Sequence, residues 1–193
     1  MGLSREALKA ELGRVLLAPE EASTLTVAGR TKAAVLVPLY LQDGELHSVF
    51  TRRREDLRRH PGEISFPGGR LDEGESSLVT AALREAEEEI GLPGQAVELV
   101  GALQPTPTIA TSYAVYPFVG LIEPGREWTL SPREVAEILE LSLPALRNGY
   151  GRRRLVRRGI PFRTDTYVVD DNLIWGATAR ILSDLLARIE KLL

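Results

Sequence analysis

The segment 76–92 constrains the fold of this chain most, because its residues fit one amphipathic helix. Ser76 or Ser77 provides an N-cap, and Gly91 followed by Pro93 provides a stop. At about 100° per residue, the apolar side chains of the segment fill one continuous sector of the helix. That sector contains Leu78, Val79, Ala82, Leu83, Ala86 and Ile90. The pattern therefore predicts a helix that packs on a sheet through this face.

Three glutamates, Glu85, Glu88 and Glu89, share another arc of about 100° on this helix, whereas Glu87 points away. Glu85 and Glu89 form a like-charge i, i+4 pair, which costs about 0.2–0.5 kcal/mol. Glu89 also falls beside the apolar sector. A half-buried carboxylate cluster needs a cation, and its oxygens suit Mg²⁺ or Mn²⁺. The alternative is an ordinary solvated helix in which Arg84 pairs with Glu88.

The composition narrows the chemistry that is available. The chain has no cysteine, which excludes disulfides, thiolate nucleophiles, thiolate-bound zinc and iron–sulfur clusters. With only His47 and His60, a three-histidine metal site is impossible, and a histidine-based triad would depend on one of two residues. The 27 acidic residues are the chemical resource that remains.

The remaining hydrophobic patterns predict one α/β domain over residues 1–193, with a first helix at about 4–17 and a last one at about 174–193. Strands are predicted at 33–41, 47–53, 64–66, 97–103 and 114–122, with a further pair within 155–169. Asp43-Gly44 predicts a hairpin turn, and Pro67-Gly68-Gly69 predicts a loop. Ser131-Pro132 suggests a helix start, with a strand over 138–143 as the alternative. Helices and strands without regular alternation favour a helix–sheet–helix sandwich.

Arginines are concentrated in two runs. The first contains Arg52, Arg53, Arg54, Arg58 and Arg59, and the second contains Arg147, Arg152, Arg153, Arg154, Arg157 and Arg158. The acidic helix lies between them, an arrangement that would suit an anionic substrate bridged by a cation. Charge counts alone favour an ordinary solvated surface, and for residues 152–158 a solvated strand is the favoured interpretation.

Global features predict a protein of the cytoplasm and do not point to a partner; the small-molecule substrate is implied by the resemblance given below. The net charge of -3 is too small to indicate nucleic acid or a membrane surface. No apolar run approaches the roughly 18 residues of a membrane helix. The first residues, Met-Gly-Leu-Ser-Arg-Glu, lack an apolar signal core. A monomer and a homodimer both remain open.

The helix residues Arg84-Glu85-Ala86-Glu87-Glu88-Glu89-Ile90-Gly91-Leu92, with Gly69 and Glu75 before them, resemble the signature of the Nudix hydrolases. The resemblance implies an α/β/α sandwich around a mixed sheet and metal-dependent hydrolysis of a nucleoside diphosphate linked to another group. It also implies that Glu85, Glu88 and Glu89 hold Mg²⁺ or Mn²⁺ and that Arg84 orients them. One extra residue separates Gly69 from Arg84, so Glu75 is a less certain catalytic residue.

The residues before the signature resemble the motif of the coenzyme A pyrophosphatase branch. The matching positions are Thr51, Arg53, Arg58, Gly62, Phe66, Pro67, Gly68 and Gly69, with every spacing retained. Val49-Phe50 and Arg54 depart from that motif. We expect Arg53 and Arg58 to bind phosphate and Gly68 and Gly69 to allow close backbone approach. Phe66 is more typical of a core residue, and His60 of a loop.

The resemblance implies hydrolysis of coenzyme A or its thioesters to 3′,5′-ADP and (acyl-)4′-phosphopantetheine. Glu88 and Glu75 are candidate bases, and another helix glutamate or Glu134 could equally accept the proton. The alternatives are an ADP-ribose or dinucleotide pyrophosphatase and a sensor that binds a nucleotide without cutting it. The carboxylate cluster argues against a sensor, which need not retain it.

Overall fold

Two β-sheets and five α-helices form the part of the chain that the computed structural model describes, which is residues 4–108, 111–157 and 159–193. The helices are α1 (Arg5–Val15), α2 (Pro19–Thr24), α3 (Leu78–Ile90), α4 (Leu143–Asn148) and α5 (Gly176–Arg188), and short 3-10 turns cover Gly94–Ala96 and Glu190–Leu192. The strands are β1 (Thr31–Gln42), β2 (Glu45–Arg53), β3 (Ile64–Ser65), β4 (Gly68–Arg70), β5 (Glu98–Ala102), β6 (Thr106–Pro107), β7 (Tyr113–Leu121), β8 (Val135–Ser142), β9 (Tyr150–Arg157), β10 (Ile160–Val169) and β11 (Asn172–Trp175).

The larger sheet is mixed, as the resemblance implied. Its path runs β3-β2-β1-β7-β5, with β4 beside β1, β6 beside β7 and β8 beside β2. β1 and β7 run parallel from Thr31↔Tyr113 to Leu39↔Leu121, whereas the other pairs are antiparallel. β1 pairs with β2 at its C-terminal end and with β4 near its N-terminal end. The sheet therefore forks beside β1.

The core occupies both faces of this sheet, because side chains alternate along each strand. On one face, Leu36 of β1 packs in a cluster with Ala86 of α3. On the other, Val37 of β1 joins a cluster with Leu8 of α1 and Leu185 of α5. Apolar residues at helical spacing thus bury the stripes of α1, α3 and α5. The predicted helix–sheet–helix sandwich is confirmed.

Three predictions of secondary structure require correction. The segment Pro67-Gly68-Gly69 is not a loop throughout, because Gly68–Arg70 pairs with β1 from Ala33↔Arg70 to Val35↔Gly68. No helix begins at Ser131-Pro132, and the alternative strand is present as Val135–Ser142, where it gains its hydrogen bonds from β2. The last helix begins at Gly176, because residues 172–175 pair with β10 as β11. In the first two cases a partner distant in sequence determined the local structure, whereas β11 pairs with the adjoining strand β10 in a hairpin, from Val169↔Asn172 to Thr166↔Trp175.

The smaller sheet, β11-β10-β9, places the second arginine-rich run on an edge strand. Arg52 of β2 donates a hydrogen bond to the Asn172 side chain, which fixes β11 beside the larger sheet. β11 consequently carries Trp175 to the side of β3. None of the helices in the described ranges is long and apolar enough to cross a membrane.

Candidate active site

Helix α3 begins and ends as its sequence predicted, and it brings Glu85 and Glu89, but not Glu88, to the cavity described below. The Ser77 hydroxyl accepts a hydrogen bond from the Thr80 amide at the start, and Gly91 ends the helix with a left-handed φ of 68°. The apolar sector faces β1, and Glu89 on the edge of that sector is only 6% exposed. Glu87 is exposed, in agreement with its predicted direction.

Glu89 is a buried carboxylate with little compensation from the protein. The Gly68 amide donates a hydrogen bond to its Oε2 at 3.2 Å, and Arg53 Nη1 lies 4.0 Å from its Oε1. Burial raises the pKa of Glu89 to about 8, and the nearby charges of Glu85 and Glu134 raise it further, against the opposing effects of Gly68 and Arg53. Gly68 and Arg53 therefore do not fully stabilise the negative charge of the Glu89 carboxylate.

Arg84 connects the helix carboxylates to the loop before the helix. Its Nη1 donates to Glu85 at 3.0 Å and to Glu88 at 3.3 Å, and its Nη2 donates to the Arg70 carbonyl and to Glu75. Desolvation opposes its charge, but the carboxylates of Glu75, Glu85 and Glu88 raise the Arg84 pKa. Arg84 is thus positioned to orient Glu85, the role that the resemblance implied for it.

The glycines of β4 leave room for the helix carboxylates. A Cβ atom on Gly69 would lie 2.6 Å from Oε2 of Glu85 and closer still to its Oε1. A Cβ atom on Gly68 would lie 2.6 Å from the Val35 Cα and closer still to the Ala34 carbonyl oxygen. Glycine at position 68 therefore allows β4 to pair with β1, and glycine at position 69 leaves the Glu85 carboxylate in its place beside Arg84.

These groups open onto a cavity of about 610 Å³ at the fork of the sheet. Six of the predicted site residues line it, namely Arg53, Phe66, Gly68, Gly69, Glu85 and Glu89. Arg53 Nη1 and Nη2 also donate to Glu134 at 3.4 Å, and Glu134 lines the cavity with a half-exposed side chain. The cavity thus brings Glu85, Glu89 and Glu134 together with Arg53.

Six other predicted site residues do not line the cavity. Glu88 and Arg58 are exposed, and Thr51 is buried with its hydroxyl 3.4 Å from the Ser65 carbonyl. Gly62 has φ of 66° in a turn, and its absent side chain leaves room for Glu55. Glu75 accepts hydrogen bonds from the Asp72 amide and Arg84, so it supports Arg84 outside the cavity. The sixth residue, Arg84, reaches the cavity only through Glu85.

Phe66 serves mainly as a core residue, as its residue type suggested. It is 2% exposed, and its ring stacks on Phe50 with the centroids 4.6 Å apart. Its edge nevertheless contributes to the cavity wall. Packing of this pair fixes β3 against β2 and so supports the adjoining strand β4.

The donor set fits a divalent cation, although the carboxylates are not grouped as a formed metal site. Within the described ranges, no three acidic or histidine side chains lie together in a geometry that would hold an ion. Among the predicted ligands, Glu88 is the one that lies apart, because its exposed carboxylate contacts Arg84 and does not line the cavity. Glu85 and Glu89 remain, beside Glu134, and their undercompensated oxygens are suited to Mg²⁺ or Mn²⁺.

The cavity also contains a second group of residues that the sequence did not predict as part of a site. Arg157 of β9, Trp175 of β11, and His60 and Glu63 of the segment before β3 line the cavity. The solvated-strand interpretation holds for Arg152, Arg153 and Arg154, which are exposed, but it is wrong for Arg157; Arg158 lies outside the described residues. Strand alternation distinguishes Arg157 from Arg154, but only the tertiary position of β9 shows that its face meets the cavity.

The chain is similar in sequence to known proteins over most of its length. The family model for the NUDIX domain matches residues 30–158. A protein of Salmonella newport (strain SL254), named "Uncharacterized Nudix hydrolase NudL", is 38% identical over 192 residues, covering 98% of each chain.

Comparisons of structure agree with the fold. A Nudix hydrolase from M. smegmatis, RenU, has a TM-score of 0.53 at 20% identity, covering 69% of this chain and 81% of that one. The NUDIX domain of Shewanella oneidensis NrtR, crystallised with ADP ribose, has a TM-score of 0.50 at 16% identity, covering 67% and 85% respectively. At these identities the likeness concerns the fold alone.

Proposed function

This chain belongs to the Nudix hydrolase family and is a pyrophosphatase, and from that premise we propose that its substrate is coenzyme A or a coenzyme A thioester. The observation that carries the proposal is the cavity at the sheet fork, where Glu85, Glu89 and Glu134 meet Arg53. Carboxylates there can hold a cation, and the arginine can bind a phosphate oxygen. Binding of a diphosphate needs both the cation and the arginine to balance its negative charge.

The buried carboxylates are the proposed cation ligands. Glu85 and Glu89 would hold Mg²⁺ or Mn²⁺, whereas Glu88, the third ligand that the family resemblance implies, lies with Arg84 outside the cavity. The ion supplies charge neutralisation at the diphosphate and favours deprotonation of water. Gly68 and Arg84 keep the Glu89 and Glu85 carboxylates in place through the contacts described above.

Hydrolysis needs a base and a leaving phosphate. The oxygen of a water molecule bonds to one phosphorus, and the bond from that phosphorus to the bridging oxygen breaks with its electron pair going to the leaving phosphate. Glu134 is our candidate to accept the water proton, because its carboxylate lines the cavity and its contacts with Arg53 are long at 3.4 Å. The products are 3′,5′-ADP and 4′-phosphopantetheine or its acyl form.

Support for coenzyme A comes from the motif that precedes α3. Arg53, Phe66, Gly68 and Gly69 of that motif line the cavity. Arg53 is the motif arginine that can reach the substrate, since Arg58 does not line the cavity. A guanidinium beside the cation ligands can bind the diphosphate bidentately.

The test is a panel of diphosphates incubated with Mg²⁺ or Mn²⁺, with products identified by mass. Coenzyme A should give 3′,5′-ADP and 4′-phosphopantetheine, and chelation should stop the reaction. Glu89→Gln should abolish turnover, whereas the matched control Glu87→Gln on the exposed helix face should retain it. Unchanged turnover of Glu89→Gln at saturating Mg²⁺ would show that the metal assignment is wrong.

The same panel separates the rival substrates. ADP ribose, the ligand in the NrtR crystal, and a dinucleotide test the alternative pyrophosphatase activities. Faster cleavage of either one than of coenzyme A would contradict our proposal. Binding of a nucleotide without any cleavage would instead identify a sensor.

A further inference from the structure

The cavity contains a second contact cluster, separate from the carboxylates of α3. The guanidinium of Arg157 lies over the Trp175 ring, 5.3 Å from its centroid. Its Nη2 is 3.4 Å from Glu63 Oε1 and 3.4 Å from His60 Nδ1. All four residues line the cavity. β9, β11 and the segment before β3 converge here, so the cluster depends on the second sheet.

Stacking on an aromatic ring restricts the Arg157 guanidinium but leaves its N–H edges available. A guanidinium has five N–H donors. Within the described residues, its side chain has one hydrogen-bond contact, the long one to His60. Glu63 contacts both Arg157 and His60, since its Oε2 is 2.6 Å from His60 Nδ1. Arg157 is also 31% exposed, so its remaining donors are open to a ligand.

Three arginines of the described residues line the cavity, namely Arg53, Arg70 and Arg157, and their contacts indicate what that ligand is. Arg70 lies over the Tyr113 ring, 5.8 Å from its centroid. Arg53 is engaged by Glu89 and Glu134 and lies where a diphosphate would bind. Among the described residues, the polar side-chain contacts of Arg157 are with His60 and Glu63, and none is with Arg53, Glu85, Glu89 or Glu134. A substrate with a diphosphate alone would leave Arg157 unused, whereas a second phosphate would match its planar fork.

We propose that Arg157, held against Trp175, binds a second phosphate of the substrate, and so selects nucleotides that carry a separate phosphate on the ribose. This inference rests on the proposed function, in which the 3′-phosphate of coenzyme A is that group. Trp175 and Glu63 position the guanidinium, and Arg157 makes the contact.

The test measures binding of two nucleotides by calorimetry. Adenosine 3′,5′-bisphosphate carries the second phosphate, and adenosine 5′-monophosphate lacks it. A charged hydrogen bond corresponds to roughly a 10- to 100-fold change in affinity, so the wild type should prefer the bisphosphate by that factor. Arg157→Gln should remove the preference. The matched control Arg154→Gln, on the opposite face of the same strand, should retain it.

Equal affinity of the wild type for the two nucleotides, or an unchanged preference in Arg157→Gln, would overturn the inference. If Arg157→Gln does not fold, as judged by its thermal unfolding, Arg157→Lys provides the same test. Lysine retains the charge but lacks the fork, so the preference should fall several-fold; a preference equal to that of the wild type would refute the role of the guanidinium.

The binding measurement does not depend on cleavage. A protein that prefers the bisphosphate through Arg157 but cleaves no coenzyme A would refute the proposed substrate alone. A protein that cleaves coenzyme A but binds the two nucleotides equally would refute the Arg157 subsite alone.

Discussion

Replacement of Gly69 by alanine should abolish activity while leaving the fold intact. A Cβ at this position would lie 2.6 Å from Oε2 of Glu85 and closer still to Oε1. Ordinary contacts between such atoms begin at about 3.5 Å, so the carboxylate must move by about 1 Å. Glu85 is a flexible side chain, and it can turn away without displacing the backbone. It would then lose its hydrogen bond with Arg84.

The consequence should be catalytic, because a misplacement of about 1 Å in an active site can cost about 100-fold in rate. The assay is kcat/KM on the best substrate of the panel with saturating Mg²⁺, together with the midpoint of thermal unfolding. We expect a loss of about 100-fold in kcat/KM with little change in the midpoint.

The neighbouring glycine provides the matched comparison. Gly68→Ala would place its Cβ against the backbone of Ala34 and Val35, which cannot yield as a side chain can. This variant should therefore lose stability or fail to fold. Gly74→Ala, in open space, should retain activity even though its φ of 87° costs some stability. Wild-type activity in Gly69→Ala, or unfolding of Gly69→Ala while Gly68→Ala folds, would refute the reasoning.

Three further predictions follow from the site. Burial raises the Glu89 pKa to about 8, so below that pH the native state binds more protons than the unfolded state. The stability of the protein in EDTA should therefore fall as pH rises from 5 to 8. Glu89→Gln should remove this slope in thermal melts. Arg84→Gln should lower kcat more than it raises KM in steady-state kinetics, since Arg84 orients Glu85 without reaching the cavity; an effect on KM alone would contradict this role. Phe66→Ala should cost about 3–5 kcal/mol in urea unfolding because it removes the stack on Phe50; a loss below about 1 kcal/mol would show that the pair does not support β3.

Local chemistry explains why α3 could be predicted closely. Its serine cap, its left-handed glycine stop and its apolar period all lie within fifteen consecutive residues, so no distant partner is needed to define it. The burial of Glu89 followed from the same geometry, because its angular position beside Leu78 is a property of the helix itself.

Strands β4 and β11 could not be predicted from the sequence alone. Gly68 and Gly69 have no side-chain pattern, and their strand exists because β1 offers a free edge at Ala33–Val35. Residues 172–175 are strand for the same reason, since β10 supplies their partner. The hydrogen bonds between β4 and β1 join residues far apart in the chain, and a local pattern does not record them.

The sequence by itself determined the chemistry of this protein, namely carboxylates on one helix face, an arginine-rich motif before them, and no thiol. Only the tertiary structure decided which members share a cavity. It placed Arg53 beside Glu89, left Glu88 and Arg58 outside the cavity, and brought Arg157 to the cavity wall. The physical reason is that helical spacing fixes the directions of side chains around one helix axis. The convergence of side chains from different elements depends instead on how the two sheets and the helices pack together.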